Sequence, residues 1–228
     1  MIRIEGSHEP RADKVSRGIT LSADNSRVQS GNGAAVYWDA LARVIRLHAE
    51  ARVRGDPDAD LGALATATCD GAPSVRTVRI VRIAQGGLAF FADIETGKGC
   101  QLRENPRAAI CFHWHILHHQ VIVEGPVISL PAQEADALWR NVPRDYGLAH
   151  WASKQNEDTA EPESLKFAAR EFRRRFSAAR VPRPALWHAF ELNPTRIDIW
   201  HAGWQRLRPH LHYVRQADGE WISSRRNP

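Results

Sequence analysis

The chain lacks most of the short signatures by which a sequence declares its chemistry. Its 228 residues hold no G-x-G-x-x-G and no G-x-x-x-x-G-K-[ST] stretch, which argues against the common dinucleotide and nucleoside-triphosphate loops. G-x-S-x-G is missing too, and no cysteine stands in a nucleophile setting, so covalent hydrolysis finds no support. The three cysteines, Cys69, Cys100 and Cys111, form no C-x-x-C pair, and an odd count speaks against a disulfide framework. They read as free thiols inside a fold. No apolar run approaches the ~20 residues of a membrane-spanning helix. The opening M-I-R-I-E-G-S-H-E-P has no apolar centre of a secretory signal, so the cytoplasm is the expected compartment. An excess of one charge is also missing. Lys and Arg number 31 against 26 Asp and Glu, spread along the chain, and only Arg173-Arg174-Arg175 forms a run. A net +5 distributed in this way fits a solvated surface better than a nucleic-acid footprint.

What is present is an ordinary globular balance, 43% hydrophobic and 25% charged, in a length able to bury a real core. Residues 1–33 carry Gly, Ser, Asn and scattered charge without an apolar period, and read as a mobile N-terminal arm. One domain is expected over 34–228. It begins with a helix from Val36 to Val53, with Leu41, Val44, Ile45 and His48 on one face, stopped by Gly55-Asp56-Pro57. Strands are expected at Leu61–Thr68, Val75–Ile83 and Leu88–Ala92, separated by Asp-Gly and Gly-Gly turns. Ala108–His115 and Gln120–Leu130 form a further antiparallel pair. Helices return at Pro131–Arg140 and Ser164–Phe176, and four short strands close the chain near Trp187–Leu192, Arg196–Trp200, Leu211–Val214 and Glu220–Ser223. Many strands at hairpin spacing, few helices and no βαβ alternation imply a mainly β (α+β) fold, an antiparallel barrel with peripheral helices.

Chemistry concentrates between Pro73 and Gln120. Arg76 and Lys98 sit at the ends of neighbouring strands among alternating apolar residues, an arrangement by which a rigid sheet holds a phosphate, and Gln120 adds an amide. A phosphate clamp beside an amide points to a nucleotide-like cofactor. Cys111, His113 and His115 alternate and would share a strand face, but three ligands on one flat strand converge poorly on zinc, and no metal is expected. In the tail, Trp200 offers a plane for a flat ring. Arg206, Arg208 and His210 alternate, and in an extended strand they would face one side, where three basic groups repel unless an anion lies between them.

Five ordered blocks, S-V-R-T-V, T-G-K, H-Q-V-I-V-E-G, W-A-S-K-Q and W-x6-L-x3-L, resemble the pyridoxamine 5'-phosphate oxidase family of FMN flavoproteins, from about Val36 to Pro228. The resemblance implies a six-stranded antiparallel split β-barrel of Greek-key type and a homodimer with FMN at the subunit interface. It implies that Arg76 and Lys98, with Thr96, bind the FMN phosphate, and that Arg76, Thr77, Val78 and Arg79 line the flavin with backbone groups. Phe91 and Ala92 fall on the cofactor strand, Gln120 reaches the ring edge, Gln155 and Asn156 bind from the partner subunit, and Trp200 and His210 close the far side of the ring.

The departures from that pattern bear on the substrate. Where the vitamin B6 oxidases hold the substrate phosphate with a Lys, a Tyr, an Arg and a Ser, this chain has Val81, Leu138, Val142 and Tyr146. Losing three polar anchors, each worth ~1.5–3 kcal/mol to a charged group, weakens phosphate binding roughly a thousandfold or more. In the tail, R-L-H-x-R becomes Arg206-Leu207-Arg208-Pro209-His210, and Gly97 replaces a usual second cation. Apolar walls with Arg206 and Arg208 remaining fit a flat, carboxylate-bearing substrate, with Trp139 and Tyr146 beside it. This pattern looks like the family's phenazine-biosynthesis branch. The implied reaction passes hydride from a reduced phenazine carboxylate to FMN and then to O2, giving hydrogen peroxide, with Arg206 and Arg208 as the catalytic-site cations. Pyridoxamine or pyridoxine 5'-phosphate oxidation, or a non-catalytic flavin- or haem-binding barrel, are the alternatives. Arg206→Ala is expected to raise KM sharply with FMN content unchanged. Steady-state kinetics beside flavin quantitation checks this, and loss of FMN instead would place Arg206 on the cofactor.

Overall fold

The computed structural model describes residues 33–152, 162–177, 179–201 and 210–226. Helix α1, Gly33–Val53, buries Val36, Ala40, Leu41, Val44 and Ala51, the stripe its apolar spacing calls for. It ends where Gly55 takes a left-handed φ of 77°, a conformation that costs glycine nothing. The expected arm lies, apart from Gly33, outside the described residues.

Strands β1 (Leu61–Ala67), β2 (Pro73–Ala84), β3 (Gly87–Asp93), β4 (Arg107–Trp114), β5 (His119–Ser129) and β6 (Trp187–Leu192) pair antiparallel in the order β4-β1-β2-β3-β6-β5. A further β4–β5 pairing, from Arg107↔Pro126 to Trp114↔His119, closes that series into a six-stranded barrel. Strands β7 (Arg196–His201), β8 (His210–Arg215) and β9 (Trp221–Arg226) extend the sheet outward from β5. The mainly β barrel with peripheral helices read from the alternation is thus the observed fold. β2 and β5 stand three strands apart in either direction around the ring, on opposite sides.

The barrel interior is filled. Leu64, Phe90, Ile110, Phe112, Trp114 and Val123 are fully buried there. Strand β3 is buried along its whole length because both its faces are covered. Leu88, Phe90 and Ala92 point into the barrel, while Ala89 and Phe91 join a second apolar layer outside it. That layer is completed by helix α3, Ala132–Trp139, through Ala135, Leu138 and Trp139.

Three further helices are α2 (Gly97–Glu104), α4 (Arg144–Ala152) and α5 (Pro162–Arg175). Neither α2 nor α4 was expected from sequence. Glycines 97, 99 and 147 lower their helix propensity, and the tertiary contacts override it. Gly99 is required by packing, since a Cβ there would lie 2.3 Å from the carbonyl oxygen of Asp93. Among the described residues no helix is long and apolar enough to cross a membrane.

One irregularity positions the site. The β2–β3 register shifts between Ile80 and Arg82, so Val81 is an extra residue in its strand. Val78 and Ile80 face the core before this bulge, and Ile83 packs on the core after it. The bulge thereby adds Arg82 to the outward face on which alternation already places Arg79 and Val81.

Phe112 is completely buried and stacks on Trp114 at a centroid distance of 4.9 Å. Phe112→Ala is expected to lower stability by about 3–5 kcal/mol. The control Val75→Ala, at a side chain 70% exposed, should cost almost nothing. Urea unfolding of both variants checks the pair.

Candidate functional site

Arg76 lies on the inward-facing side of β2 at the barrel's end, level with Leu64 in the β1–β2 register. Its guanidinium donates to the Leu64 carbonyl at 3.3 Å, to Thr66 Oγ1 at 2.5 Å and to Gln101 Oε1 at 3.4 Å. All three acceptors are neutral, and among the described residues Arg76 makes no ion pair. Burial lowers its proton affinity. Lys98, in the first turn of α2, donates to Thr96 Oγ1 at 3.3 Å, and Thr96 in turn donates to the Asp93 carbonyl at 2.7 Å. Burial depresses the Lys98 pKa and the nearby charge of Arg76 depresses it further, with Asp93 opposing. Two cations therefore stand half-buried within each other's field at the start of a helix. The start of a helix also favours an anion, through its unpaired N–H groups. Gly97 adjoins this place, and a side chain there would meet no neighbour within 4 Å.

The other residues of the Arg76–Arg79 stretch divide by strand parity. Val78 is buried in the barrel core, so its part in any site is limited to its backbone. Thr77 is exposed. Arg79 donates to Asp60 Oδ2 at 2.9 Å and places its guanidinium 5.4 Å from the Tyr146 ring centroid. Asp60 also accepts from His48 Nε2 at 2.9 Å. His48, Asp60 and Arg79, with Val81, Arg82 and Asn141, line a cleft of about 460 Å³ between α1, β2 and the α3–α4 connection. Arg82 is neutralised there by Glu134 and Glu191, each at 2.6 Å.

The outer layer takes in two more of the expected residues. Phe91 and Trp139 are 4% and 5% exposed and pack edge to face at 5.0 Å, and the Trp139 indole N–H is satisfied by the Val181 carbonyl at 3.1 Å. Both act chiefly as packing, because covering β3 with α3 removes their rings from solvent. Only part of Trp139 reaches a shallow cleft of about 210 Å³ with Val142 and Val181. Ala92 likewise turns its methyl into the barrel, and its backbone is paired with His188. Val81, Leu138 and Val142 do meet in this one apolar layer.

Tyr146 and His150 occupy successive turns of α4, ring edge against ring face at 4.2 Å. His150 also lies over Trp187 at 3.7 Å, and Lys98 Nζ is 5.9 Å from the same indole. Burial, with Lys98 adding to it, pushes the His150 pKa down to about 4, so the ring is neutral at pH 7. Burial also raises the Tyr146 phenol, against the pull of Arg79.

A second group forms on β5, β7 and β8. Gln120 is paired directly with Trp200, and Trp200 stacks on His210 at 3.8 Å with ring planes 7° apart. His210 lies beside the buried Asp198, which accepts from His212 Nδ1 at 2.6 Å and Arg196 Nε at 2.7 Å. Burial lowers the His210 pKa; Asp198 opposes this, and Arg226 and His212 reinforce it. A charged His210 at neutral pH is thus disfavoured. Trp200 Nε1 and His210 Nδ1 are both buried without a hydrogen-bond partner among the described residues. Such atoms are costly unless something satisfies them.

The expected residues therefore fall into two sets on opposite sides of a filled barrel. Arg76, Thr96, Lys98, Arg79 and Tyr146 belong to the β2 side, while Gln120, Trp200 and His210 belong to the β5 side. Gln155, Asn156, Arg206 and Arg208 lie outside the described residues. Sequence reasoning missed Thr66, Gln101, Asp60 and His150. Gln101 had a usable signal, because it lies three residues beyond Lys98 and shares its helix face once α2 is recognised.

Residues 48–176 match the family model described as pyridoxamine 5'-phosphate oxidase. A pyridoxine/pyridoxamine 5'-phosphate oxidase of Anaeromyxobacter dehalogenans (strain 2CP-C) is 42% identical over 181 residues, covering 79% of this chain and 91% of that protein. The Alkalilimnicola ehrlichii protein of the same name is 38% identical over 191 residues, 83% and 97% of the two chains. Among solved structures, PhzG from Burkholderia lata 383, in complex with tetrahydrophenazine-1-carboxylic acid, superposes with a TM-score of 0.73 at 27% identity, covering 82% of this chain and 92% of that one. An FMN-binding protein from Nostoc punctiforme PCC 73102 shares the fold, with a TM-score of 0.64 at 19% identity over 83% and 96% of the two chains.

The His150 environment has a pH consequence. Between its ordinary 6.5 and about 4, the unfolded chain holds a proton on this imidazole that the folded chain does not. The stability it contributes is complete above that interval and is lost as pH falls through it. Melting temperature should therefore drop between pH 7 and 4, and His150→Phe should flatten the drop. An unchanged slope in the variant would assign the acid sensitivity elsewhere.

Proposed function

The chain belongs to the pyridoxamine 5'-phosphate oxidase family, and on that premise we propose that it is an FMN-dependent oxidase acting on a reduced, planar, carboxylate-bearing substrate, a reduced phenazine carboxylate being the leading candidate. The observation that carries the cofactor assignment is the Arg76–Lys98 pair. Arg76 and Lys98 lie half-buried within each other's field, and a phosphate dianion relieves the repulsion between them. The orphaned ring nitrogens of Trp200 and His210 fit the polar edge of a flavin.

When bound, FMN supplies the hydride acceptor and passes the electrons to O2, yielding hydrogen peroxide. The chain's own residues bind and orient. Arg76 and Lys98 hold the phosphate, Thr96 fixes the ammonium of Lys98, and the β2 backbone from Arg76 to Arg79 runs beside the cofactor. Gln120 offers its amide to the ring edge, with Gln155 and Asn156 adding contacts. Trp200 and His210 provide a stacked platform. His210, held neutral by its burial, offers a hydrogen bond rather than a positive charge to the ring at pH 7.

The two sets of residues stand on opposite sides of one barrel, and no single ligand outside the barrel reaches both. A homodimer, in which the β2 side of one protomer faces the β5 side of its partner, reunites them around each cofactor. This geometry supports a site shared between subunits.

The substrate assignment rests on Val81, Leu138 and Val142, which meet in one apolar layer and offer no side-chain donor of their own to a phosphate dianion. Arg206 and Arg208, outside the described residues, are then the expected cations for a substrate carboxylate. The likeness to PhzG, solved with a reduced phenazine carboxylate, supports this reading. A second reading, oxidation of pyridoxine or pyridoxamine 5'-phosphate, draws on the 42% identity to a protein of that name.

The purified protein is expected to carry FMN, and Arg76→Ala or Lys98→Met should each weaken FMN binding about ten- to hundredfold. It should form peroxide from a reduced phenazine carboxylate and turn over pyridoxine 5'-phosphate poorly. Robust turnover of the latter would establish the second reading, and a colourless protein that takes up no FMN would end the oxidase assignment.

A further inference from the structure

Arg76 is a long side chain whose guanidinium must stay beside Lys98 against the repulsion between them. What holds it is a chain of neutral hydrogen bonds rather than a counter-ion. Gln101 is at its centre. Its Nε2 donates to Ser74 Oγ at 3.0 Å, and its Oε1 accepts from Thr66 Oγ1 at 2.5 Å and from Arg76 Nη2 at 3.4 Å. Thr66 Oγ1 accepts in turn from Arg76 Nη1. Ser74 and Arg76 are on β2, Thr66 is on β1 and Gln101 is on α2, so the network ties the two strands to the helix that carries Lys98.

The chemistry of this arrangement is selective. A carboxylate in Gln101's place would hold Arg76 equally well, but it would cancel the charge that a phosphate needs. A neutral amide fixes the guanidinium and leaves its charge in force. Both guanidinium Nη atoms are engaged on the Thr66–Gln101 side, which sets the orientation of the group.

We propose that Gln101, acting with Thr66, is a positioning residue that holds Arg76 in a phosphate-competent orientation without neutralising it, and so makes the site select a phosphorylated flavin over the unphosphorylated one. This rests on the FMN reading above and deepens it. Gln101 need not touch the cofactor, since its effect passes through Arg76.

The test is the ratio of riboflavin to FMN dissociation constants, measured by fluorescence titration of the full-length apoprotein. Wild type should prefer FMN strongly. Gln101→Leu should weaken FMN about tenfold or more and leave riboflavin within about twofold. Gln101→Glu should weaken FMN further still, because it places an anion against Arg76, again sparing riboflavin. Thr66→Val removes the second link at nearly constant volume and should lower the same ratio, which keeps the test alive if a Gln101 variant misfolds. A Gln101→Leu or Thr66→Val protein that keeps the wild-type ratio, or a Gln101→Glu protein no worse than Gln101→Leu, overturns the inference. A wild-type protein that binds riboflavin as tightly as FMN overturns the phosphate-clamp reading itself, whatever the variants do.

Discussion

A closed barrel packed solid with side chains leaves no room inside for a ligand, and this constraint shapes everything else in the molecule. Phe112, Trp114, Ile110 and Val123 are fully buried in the interior, and protein cores of this kind pack about as densely as organic crystals. Chemistry is therefore confined to the rim and the outer faces. Closure through β4–β5 also fixes β2 and β5 across from each other, so the cationic end of β2 and the aromatic platform on β7 and β8 lie on opposite sides of the barrel.

Electrostatics on the β2 side is organised by contrast. Arg79 is aimed outward by strand alternation and Arg82 by the bulge at Val81, and they are neutralised by Asp60, Glu134 and Glu191. Arg76, on the other face of the same strand, is held by a threonine, an amide and a carbonyl. Alternation and the bulge together separate two arginines paired with carboxylates from one held by neutral groups. A half-buried cation held by neutral groups alone is costly.

Much of this was legible in the chain. Alternation in Val75–Ile83 and Gln120–Leu130, with Asp-Gly and Gly-Gly turns between strands, was enough to infer an antiparallel barrel. Arg76 and Lys98 could be picked out as cations at strand ends. Helices α2 and α4 were not legible, because Gly97, Gly99 and Gly147 argue locally against helix and only packing against the barrel supplies the stabilisation. With α2 unrecognised, Gln101 looked like one more polar residue. Trp139, expected beside the substrate, packs with Phe91 in the layer between β3 and α3, a placement that only the tertiary structure gives.

Residue types and spacings settled which groups exist: two cations, Arg76 and Lys98, three aliphatic residues that the family resemblance sets where polar anchors would stand, and strands short enough to close a barrel. The tertiary structure decided which of them meet. It brought Val81, Leu138 and Val142 into one layer, put Gln120 across the barrel from Arg76, and desolvated His150 and His210 so that neither favours a charge at pH 7. The reason is physical. Alternation and charge are properties of the chain read locally, whereas desolvation and proximity arise only when strands distant in sequence pack together.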